Sequence, residues 1–286
     1  MATIVSITAL AHAPGVTGWL DKAPKSQQDE LIAGYADLAR RFRATKPDVI
    51  VGVANDHLLN FRMENIPDWC VGVADRWQGP APWFRDWLNV EDYSVGGHRE
   101  LGRTIVRDCG KRGINLAWAD KLLFDDNWSV PLKFLTPEYD IPLVPIHMNC
   151  VMPPLPPAER CVMFGRALAE VIDAWPDDAR VAIMATGGLS HDPGGQRYFD
   201  VDEQFDRWFL ELLREGDTQK ILHEVTLDRM MAAGDGGTTE LLAWLVAQGA
   251  AGGARENAKA DTVFYVPSVP LRCGMGAVDW PRAMGA

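Results

Sequence analysis

The chain has 286 residues, of which 47% are hydrophobic, and this is enough to bury one large core. Its net charge of −11, without any run rich in lysine or arginine, argues against nucleic-acid or anionic-membrane partners and favours small molecules. Five cysteines without a CxxC pair, and the lack of a long apolar run, argue for a cytoplasmic protein with neither a disulfide framework nor a membrane span.

Predicted strands and helices alternate along the chain. A strand is predicted at residues 3–12, an amphipathic helix at 26–45 and a β-branched strand at 48–57. Later strands are predicted at 114–119, 142–149, 180–186 and 261–267, and later helices at 96–113, 156–175, 200–216 and 237–250. Residues 60–97, rich in tryptophan and proline, are expected to form a long ordered loop that covers part of the protein. The alternation predicts a single α/β domain over residues 1–286, with a central mixed sheet flanked by helices.

Three of the six histidines follow predicted strands. His12 ends the first strand, His57 the second, and His191 follows the strand at 180–186 in a glycine-rich turn. One such histidine alone is most simply a hydrogen-bonded turn residue. Since the ends of neighbouring strands meet at one crevice in an open α/β sheet, three together favour a shared active site at the strand ends.

A carboxylate beside two of these histidines would complete a recognisable metal site. Two imidazoles and one carboxylate leave coordination positions for a substrate and O2, as in non-haem Fe(II) enzymes. The best candidate is Glu240, which lies at the start of a strongly apolar predicted helix. Its spacing from Gly237 is equally typical of a capping box, so a purely structural role competes with the ligand role.

Six short motifs, in this order, resemble a known family. They are "HAPG" at 12–15, "ANDH" at 54–57, "DDNWSVPL" at 125–132, "TGGLSH" at 186–191, "GGTTELLAWLVAQGA" at 236–250 and "FYVPSVPLRCGMGAV" at 264–278. Together they are similar to the class III extradiol ring-cleavage dioxygenases, typified by the β subunit of protocatechuate 4,5-dioxygenase. The resemblance spans nearly the whole chain.

The resemblance implies roles for the motif residues. Fe(II) would be held by His12, His57 and Glu240, and His191 would be the acid/base of a reaction that inserts both atoms of O2 into a catecholic, gallate-like or aminophenolic ring. The product would be a ring-opened semialdehyde-type acid.

One motif departs from the family pattern. Asn127 stands where the family usually has a histidine, and an amide cannot exchange a proton near neutral pH. Asn127 is interpreted as an active-site residue or, equally, as a turn residue after two aspartates. Asn55 and His147, both at predicted strand ends, are assigned to substrate binding.

Other interpretations of the same pattern stay open. A zinc hydrolase could use the same three ligands, a non-catalytic binding subunit could keep the fold, and the motif residues could simply serve turns. A homo-oligomer is expected, and the family resemblance allows a small second subunit over the site.

Overall fold

The central feature of the protein, seen in a computed structural model that describes residues 1–252 and 257–281, is a mixed β-sheet. The strands are β1 Thr3–Leu10, β2 Val49–Asn55, β3 Trp69–Gly72, β4 Arg76–Gly79, β5 Tyr93–Gly96, β6 Ala117–Ala119, β7 Leu143–Met148, β8 Arg180–Thr186, β9 Asp261–Ser268 and β10 Cys273–Asp279. Eight of them form one sheet in the order β6-β3-β7-β2-β8-β1-β10-β9, while β4 and β5 form a separate hairpin. The predicted α/β fold with a mixed sheet is therefore confirmed.

The middle of the sheet is parallel. Strand β8 pairs with both β1 and β2, and β2 also pairs with β7, all in the same direction. Strand β10 then runs antiparallel to β1, and β9 antiparallel to β10. The carboxyl ends of β1, β8 and β2 consequently lie side by side at one edge of the sheet.

Helices cover both faces of this sheet. They are α1 Gly15–Gly18, α2 Lys25–Ala44, α3 Arg85–Leu88, α4 Arg99–Gly110, α5 Asp126–Leu135, α6 Ala158–Asp173, α7 Glu203–Glu215, α8 Thr218–Glu224, α9 Leu227–Ala233 and α10 Leu241–Gly252. Helices α4, α6 and α10 pack on one face, and α2 and α5 pack on the other. No helix within these described ranges has the length and apolar character needed to cross a membrane.

The alternation of side chains along the buried strands divides the core into two layers. Val51 and Val53 of β2 face the layer under α6 and α10, whereas Ile50 and Ala54 face the layer under α2 and α5. A β-carbon at Gly52 would collide with the Trp128 indole, so glycine lets α5 approach the sheet closely.

Several elements differ from the sequence prediction. Residues 60–97 are not one long loop, because they contain β3, the β4–β5 hairpin and α3. Strand β10 was not predicted, since its two glycines are unfavourable in strands, yet Gly274 leaves room for the buried Asp206 carboxylate. The sequence also gave no signal for α5, which contains Pro131, or for the short helices α8 and α9.

Candidate active site

The candidate site lies at the carboxyl edge of the three parallel strands. His12 follows β1 by two residues, His57 follows β2 by two, and His191 follows β8 by five. Glu240 ends a short 3-10 turn, Thr238–Glu240, that leads into α10. All four side chains line one cavity of about 240 Å³, so the structure brings together the three predicted metal ligands and the predicted acid/base.

The carboxylate of Glu240 is the centre of this group. Its Oε1 lies 2.9 Å from His57 Nε2, and its Oε2 lies 3.3 Å from His12 Nε2 and 3.7 Å from His191 Nε2. Burial acts to raise the pKa of Glu240, but His12 and His191 hold it well below its usual value. Glu240 is therefore held in its ionised form among the three imidazoles.

Two further donors fix the orientation of this carboxylate. The backbone N–H of Gly188 donates to Oε2 at 2.7 Å, and Asn55 Nδ2 donates to Oε1 at 3.2 Å. These donors and the histidines engage both oxygens of the carboxylate, and none of these contacts is with the Gly237 N–H that a capping box would use. The geometry thus disfavours the capping-box alternative for Glu240.

Both predicted metal-binding histidines are oriented through their far ring nitrogens. His12 Nδ1 lies 2.7 Å from Thr186 Oγ1, and His57 Nδ1 lies 3.1 Å from Asp125 Oδ2. Burial lowers the pKa of His57, but the nearby carboxylates of Asp125 and Asp126 outweigh it, so the pKa is well above its usual value. An imidazole whose Nδ1 is held by a hydroxyl or carboxylate, with Nε2 directed at a shared point, is typical of metal sites.

Asp126 forms a second candidate ligand set that sequence reasoning missed. One ligand atom each from His12, His57 and Asp126 lie within 4.8 Å of one another. Burial raises the pKa of Asp126 to about 6, and Asp125 adds to the effect. Asp126 lies on the Nδ1 side of His57, with 3.6 Å between Oδ1 and Nδ1, whereas Glu240 lies at Nε2. The paired aspartates of "DDNW" were the available signal.

The hydrogen bonding of His191 fixes its tautomer. Its Nδ1 donates to the Leu189 carbonyl at 2.7 Å, and because a carbonyl only accepts, neutral His191 carries its proton on Nδ1. In that neutral form Nε2 is the unprotonated nitrogen, and it lies 3.7 Å from Glu240 Oε2. Burial lowers the pKa of His191, while Cys273 and Glu240 raise it, and the net result is well above its usual value.

A buried carboxylate holds the loop that carries His191. Asp206 accepts hydrogen bonds from the N–H of Ser190 at 2.7 Å, from its hydroxyl at 2.9 Å and from the Tyr265 hydroxyl at 2.8 Å. Burial raises the pKa of Asp206 to about 6. This network makes the position of His191 depend on α7 and β9.

The rest of the cavity wall is mainly apolar and includes four aromatic side chains. Its residues, none of them predicted from sequence, include Trp19, Phe84, Trp87, Tyr198, Leu271, Arg272 and Cys273. Phe84 and Trp87 come from the tryptophan-rich segment, which was expected to cover part of the protein. An apolar aromatic wall beside a polar cluster suits a small aromatic ligand.

This architecture agrees with a family comparison. Residues 6–270 match the family described as "Catalytic LigB subunit of aromatic ring-opening dioxygenase". The chain belongs to the LigB family. The predicted membership of the class III extradiol group is therefore confirmed.

Named relatives share this family resemblance. Gallate dioxygenase of Pseudomonas putida is 31% identical over 61% of this chain and 51% of its own length. A 2,3-dihydroxyphenylpropionate/2,3-dihydroxicinnamic acid 1,2-dioxygenase of Rhodococcus is 30% identical over 70% of this chain and 60% of its own. The chain thus spans only 51–60% of these two relatives. A 2,3-dihydroxyphenylpropionate/2,3-dihydroxicinnamic acid 1,2-dioxygenase of Escherichia coli is 26% identical over 94% of this chain and 96% of its own length.

A solved structure shares the fold. The crystal structure of an uncharacterized protein from Escherichia coli K12 has a TM-score of 0.59 and 17% sequence identity, covering 96% of this chain and 100% of the other. At that identity the likeness concerns the fold alone.

Two residues assigned to substrate binding do not line the cavity of this LigB-family chain. Asn55 is fully buried, and besides contacting Glu240 its Oδ1 accepts from the Cys150 N–H at 3.2 Å. His147 is fully buried behind the site, where Nδ1 meets Asp56 at 3.1 Å and Nε2 accepts from Trp128 at 2.9 Å. The geometry gives both residues a supporting role instead of substrate contact.

Asn127, predicted as a catalytic residue, is also absent from the cavity wall. It is 1% exposed, and its Nδ2 donates to the Asn55 carbonyl at 3.0 Å. Its backbone N–H donates to the Asp125 side chain at 2.9 Å, which caps α5. Of the two interpretations of Asn127, the geometry favours the turn residue, because both contacts hold the start of a helix.

Proposed function

We propose that the chain is an Fe(II)-dependent extradiol dioxygenase that inserts both atoms of O2 into a catecholic, gallate-like or aminophenolic ring and gives a ring-opened semialdehyde-type acid. The observation that carries the proposal is the convergence of two imidazole Nε2 atoms on one buried carboxylate at the base of an aromatic cavity. Family membership supports the same reaction class.

The donor set fits a divalent iron ion. We assign His12, His57 and Glu240 as its ligands, because two nitrogens and one carboxylate on one side leave room for other ligands. The contacts of His12 with Thr186 and of His57 with Asp125 hold both rings for ligation. Bound Fe(II) would supply the positive charge and the open positions at which substrate oxygens and O2 meet.

His191 is assigned as the acid/base. Its Nε2 faces the cavity as a base, while the Leu189 carbonyl holds the Nδ1 proton. It can take a proton from a ring hydroxyl and later return it to the opened product, which is work suited to an imidazole. Asn127 offers no proton-handling group at the position of the family's usual histidine, so His191 is the one histidine that we assign as an acid/base.

The substrate class follows from the cavity and from the relatives. Trp19, Phe84 and Trp87 provide apolar faces for one ring, and a cavity of about 240 Å³ is below the ~300–1,000 Å³ of drug-sized sites. The relatives named above act on gallate and on dihydroxyphenylpropionate by their names. We assign a single-ring catecholic substrate to this chain.

One alternative rests on a specific observation. The set His12, His57 and Asp126 could hold zinc and activate water in a hydrolase, with Glu240 as the base. A non-catalytic subunit is disfavoured because the histidines and Glu240 are intact and converge.

Anaerobic purification with Fe(II), followed by metal analysis and O2-uptake assays, tests the proposal. The panel contains gallate, 3,4-dihydroxybenzoate, 2,3-dihydroxyphenylpropionate, catechol and 2-aminophenol. We expect about one iron per chain and O2 consumption with a ring-opened product for at least one compound. Tight zinc binding without O2 uptake on any compound would contradict the dioxygenase and favour the hydrolase.

The remaining assignments accompany this proposal as predictions. They are a cytoplasmic location and a homo-oligomer, while the family resemblance leaves open a small second subunit over the cavity. Size-exclusion chromatography with light scattering measures the oligomeric state of the purified chain. The same measurement on protein purified from the native host shows whether a second subunit accompanies it.

A further inference from the structure

Arg272 is the one lysine or arginine among the described residues that line the active-site cavity. Its guanidinium donates a hydrogen bond to the Tyr198 hydroxyl but is paired with no carboxylate within the described part of the chain. Arg197, by contrast, pairs with Asp202 at 3.6 Å. A cation that faces a cavity without an anionic partner is available to a ligand.

The backbone of Arg272 is held in an unfavourable conformation. Its φ of 63° and ψ of 29° are left-handed, a region that glycine adopts without cost and other residues rarely adopt. This residue follows the short turn Val269–Leu271 and directly precedes β10. Strain of this kind is concentrated at functional sites, where the direction of a side chain matters.

Three aromatic rings lie close to the guanidinium. Its central carbon lies 4.4 Å from the Tyr198 ring centroid, 5.2 Å from that of Phe199 and 5.6 Å from that of Trp19. A cation over aromatic rings is attracted by their electron-rich faces, and this attraction does not use up the N–H donors of a guanidinium. The fork of a guanidinium matches a carboxylate with two parallel hydrogen bonds.

The neighbouring residue ties Arg272 to the reacting end of the cavity. Cys273, which directly follows Arg272, lines the same cavity as His191, and His191 Nε2 lies 3.7 Å from Glu240 Oε2. Because Arg272, the histidines and Glu240 line one cavity of only about 240 Å³, a single-ring compound can contact both the guanidinium and the polar cluster.

We infer that Arg272 binds a carboxylate carried by the substrate, so that the enzyme prefers catecholic acids to neutral catechols. The inference rests on the proposed function for the orientation of the ring. The ring hydroxyls lie towards His12, His57 and Glu240, and the carboxylate lies towards Arg272.

Binding measurements on matched pairs test this preference independently of ring cleavage. The probes are gallate against pyrogallol, 3,4-dihydroxybenzoate against catechol, and 2,3-dihydroxyphenylpropionate against 3-propylcatechol, titrated calorimetrically into anaerobic protein. In at least one pair the acid should bind the wild type ~10- to 100-fold more tightly, as expected for a charge-assisted hydrogen-bonded pair. Arg272→Gln should remove the difference, and Arg272→Lys should keep part of it.

A second arginine provides the control. Arg160 stacks on Trp69 at 5.3 Å and pairs with Asp68 at 3.1 Å, outside the cavity, so Arg160→Gln should leave the acid preference unchanged. If the rings are opened, the ratio of kcat/KM for each acid to kcat/KM for its neutral partner should also fall in Arg272→Gln and stay unchanged in Arg160→Gln.

Two results would overturn the inference: no pair in which the wild type prefers the acid, or an acid preference that Arg272→Gln retains. Absence of ring cleavage together with an Arg272-dependent acid preference would refute the proposed function and leave this inference standing.

Discussion

Replacing Glu240 by glutamine separates the two candidate ligand sets. The Glu240 carboxylate accepts the Gly188 N–H at 2.7 Å and the Asn55 amide at 3.2 Å, and it lies 2.9 Å from His57 Nε2. Glutamine keeps the shape of the side chain but has only one acceptor oxygen. Whichever way the amide is turned, an NH2 group then faces donors, and a neutral amide is a poor iron ligand.

The cost in the metal-free protein can be estimated from these contacts. One lost hydrogen bond to a charged acceptor costs ~1.5–3 kcal/mol. For a chain of this size that is a fall in Tm of roughly 3–12 °C, at ~2–4 °C per kcal/mol. Fe(II) at about 100 times its Kd should stabilise the wild type by ~2.7 kcal/mol and should leave Glu240→Gln nearly unchanged.

The assay is anaerobic thermal unfolding with and without Fe(II), together with iron analysis. Asp126→Asn is the matched variant, because it removes one carboxylate from the same cavity. We expect Asp126→Asn to keep iron and the iron-induced rise in Tm, and Glu240→Gln to lose both. The reverse pattern would refute Glu240 as the third ligand and assign Asp126 to that position.

Four further predictions concern the surroundings of the metal site. His191→Ala should keep iron and bind substrate but lose ~1,000- to 10,000-fold in kcat, the upper part of the usual acid–base range; loss of iron would make it a ligand. Asp125→Asn should keep the cap of α5 but weaken iron affinity ~10- to 100-fold, because His57 loses the carboxylate that orients it. Chelator competition measures the affinity, and an unchanged value would contradict the orienting role of Asp125. Asn127→Ala should lower the free energy of unfolding by ~1 kcal/mol with little change in kcat/KM, whereas a large loss of turnover would restore its catalytic assignment. Burial raises the pKa of Asp206 from 3.8 to about 6, so its stabilising contribution is complete below about pH 4 and is lost as the pH rises through about 6. In urea titrations the free energy of unfolding of the wild type, relative to Asp206→Asn, should therefore fall over this range. A difference that does not change with pH would contradict the prediction.

The buried position of His147 shows what strand-end reasoning cannot distinguish. His147 and His57 both stand at the ends of predicted strands, and sequence position alone cannot separate them. In the structure His147 lies within β7, whereas His57 lies two residues beyond β2. In the structure Asp56 and Trp128 engage both ring nitrogens of His147, whereas His57 Nε2 remains directed at Glu240. Which strand-end side chain faces a cavity depends on the helix packed over that strand, and here α5 supplies Trp128.

The sequence by itself determined the main strands, the long helices and the edge where the histidines meet. Apolar β-branched runs specify buried strands, and parallel pairing then places His12, His57 and His191 on the same side because their strands run in one direction. The positions of the strands and long helices can be predicted because they depend on patterns of neighbouring residues along the chain.

Only the tertiary structure decided the remaining parts of the site. The contacts of Glu240 with Asn55 and Gly188 join segments 185 and 52 residues apart, and Arg272 reaches the cavity because β10 pairs with β1. Glycine-rich β10 has no strand signature, and its position results from packing against Asp206 and Leu189. Such long-range contacts depend on how whole elements fill the space between them, which no local periodicity encodes.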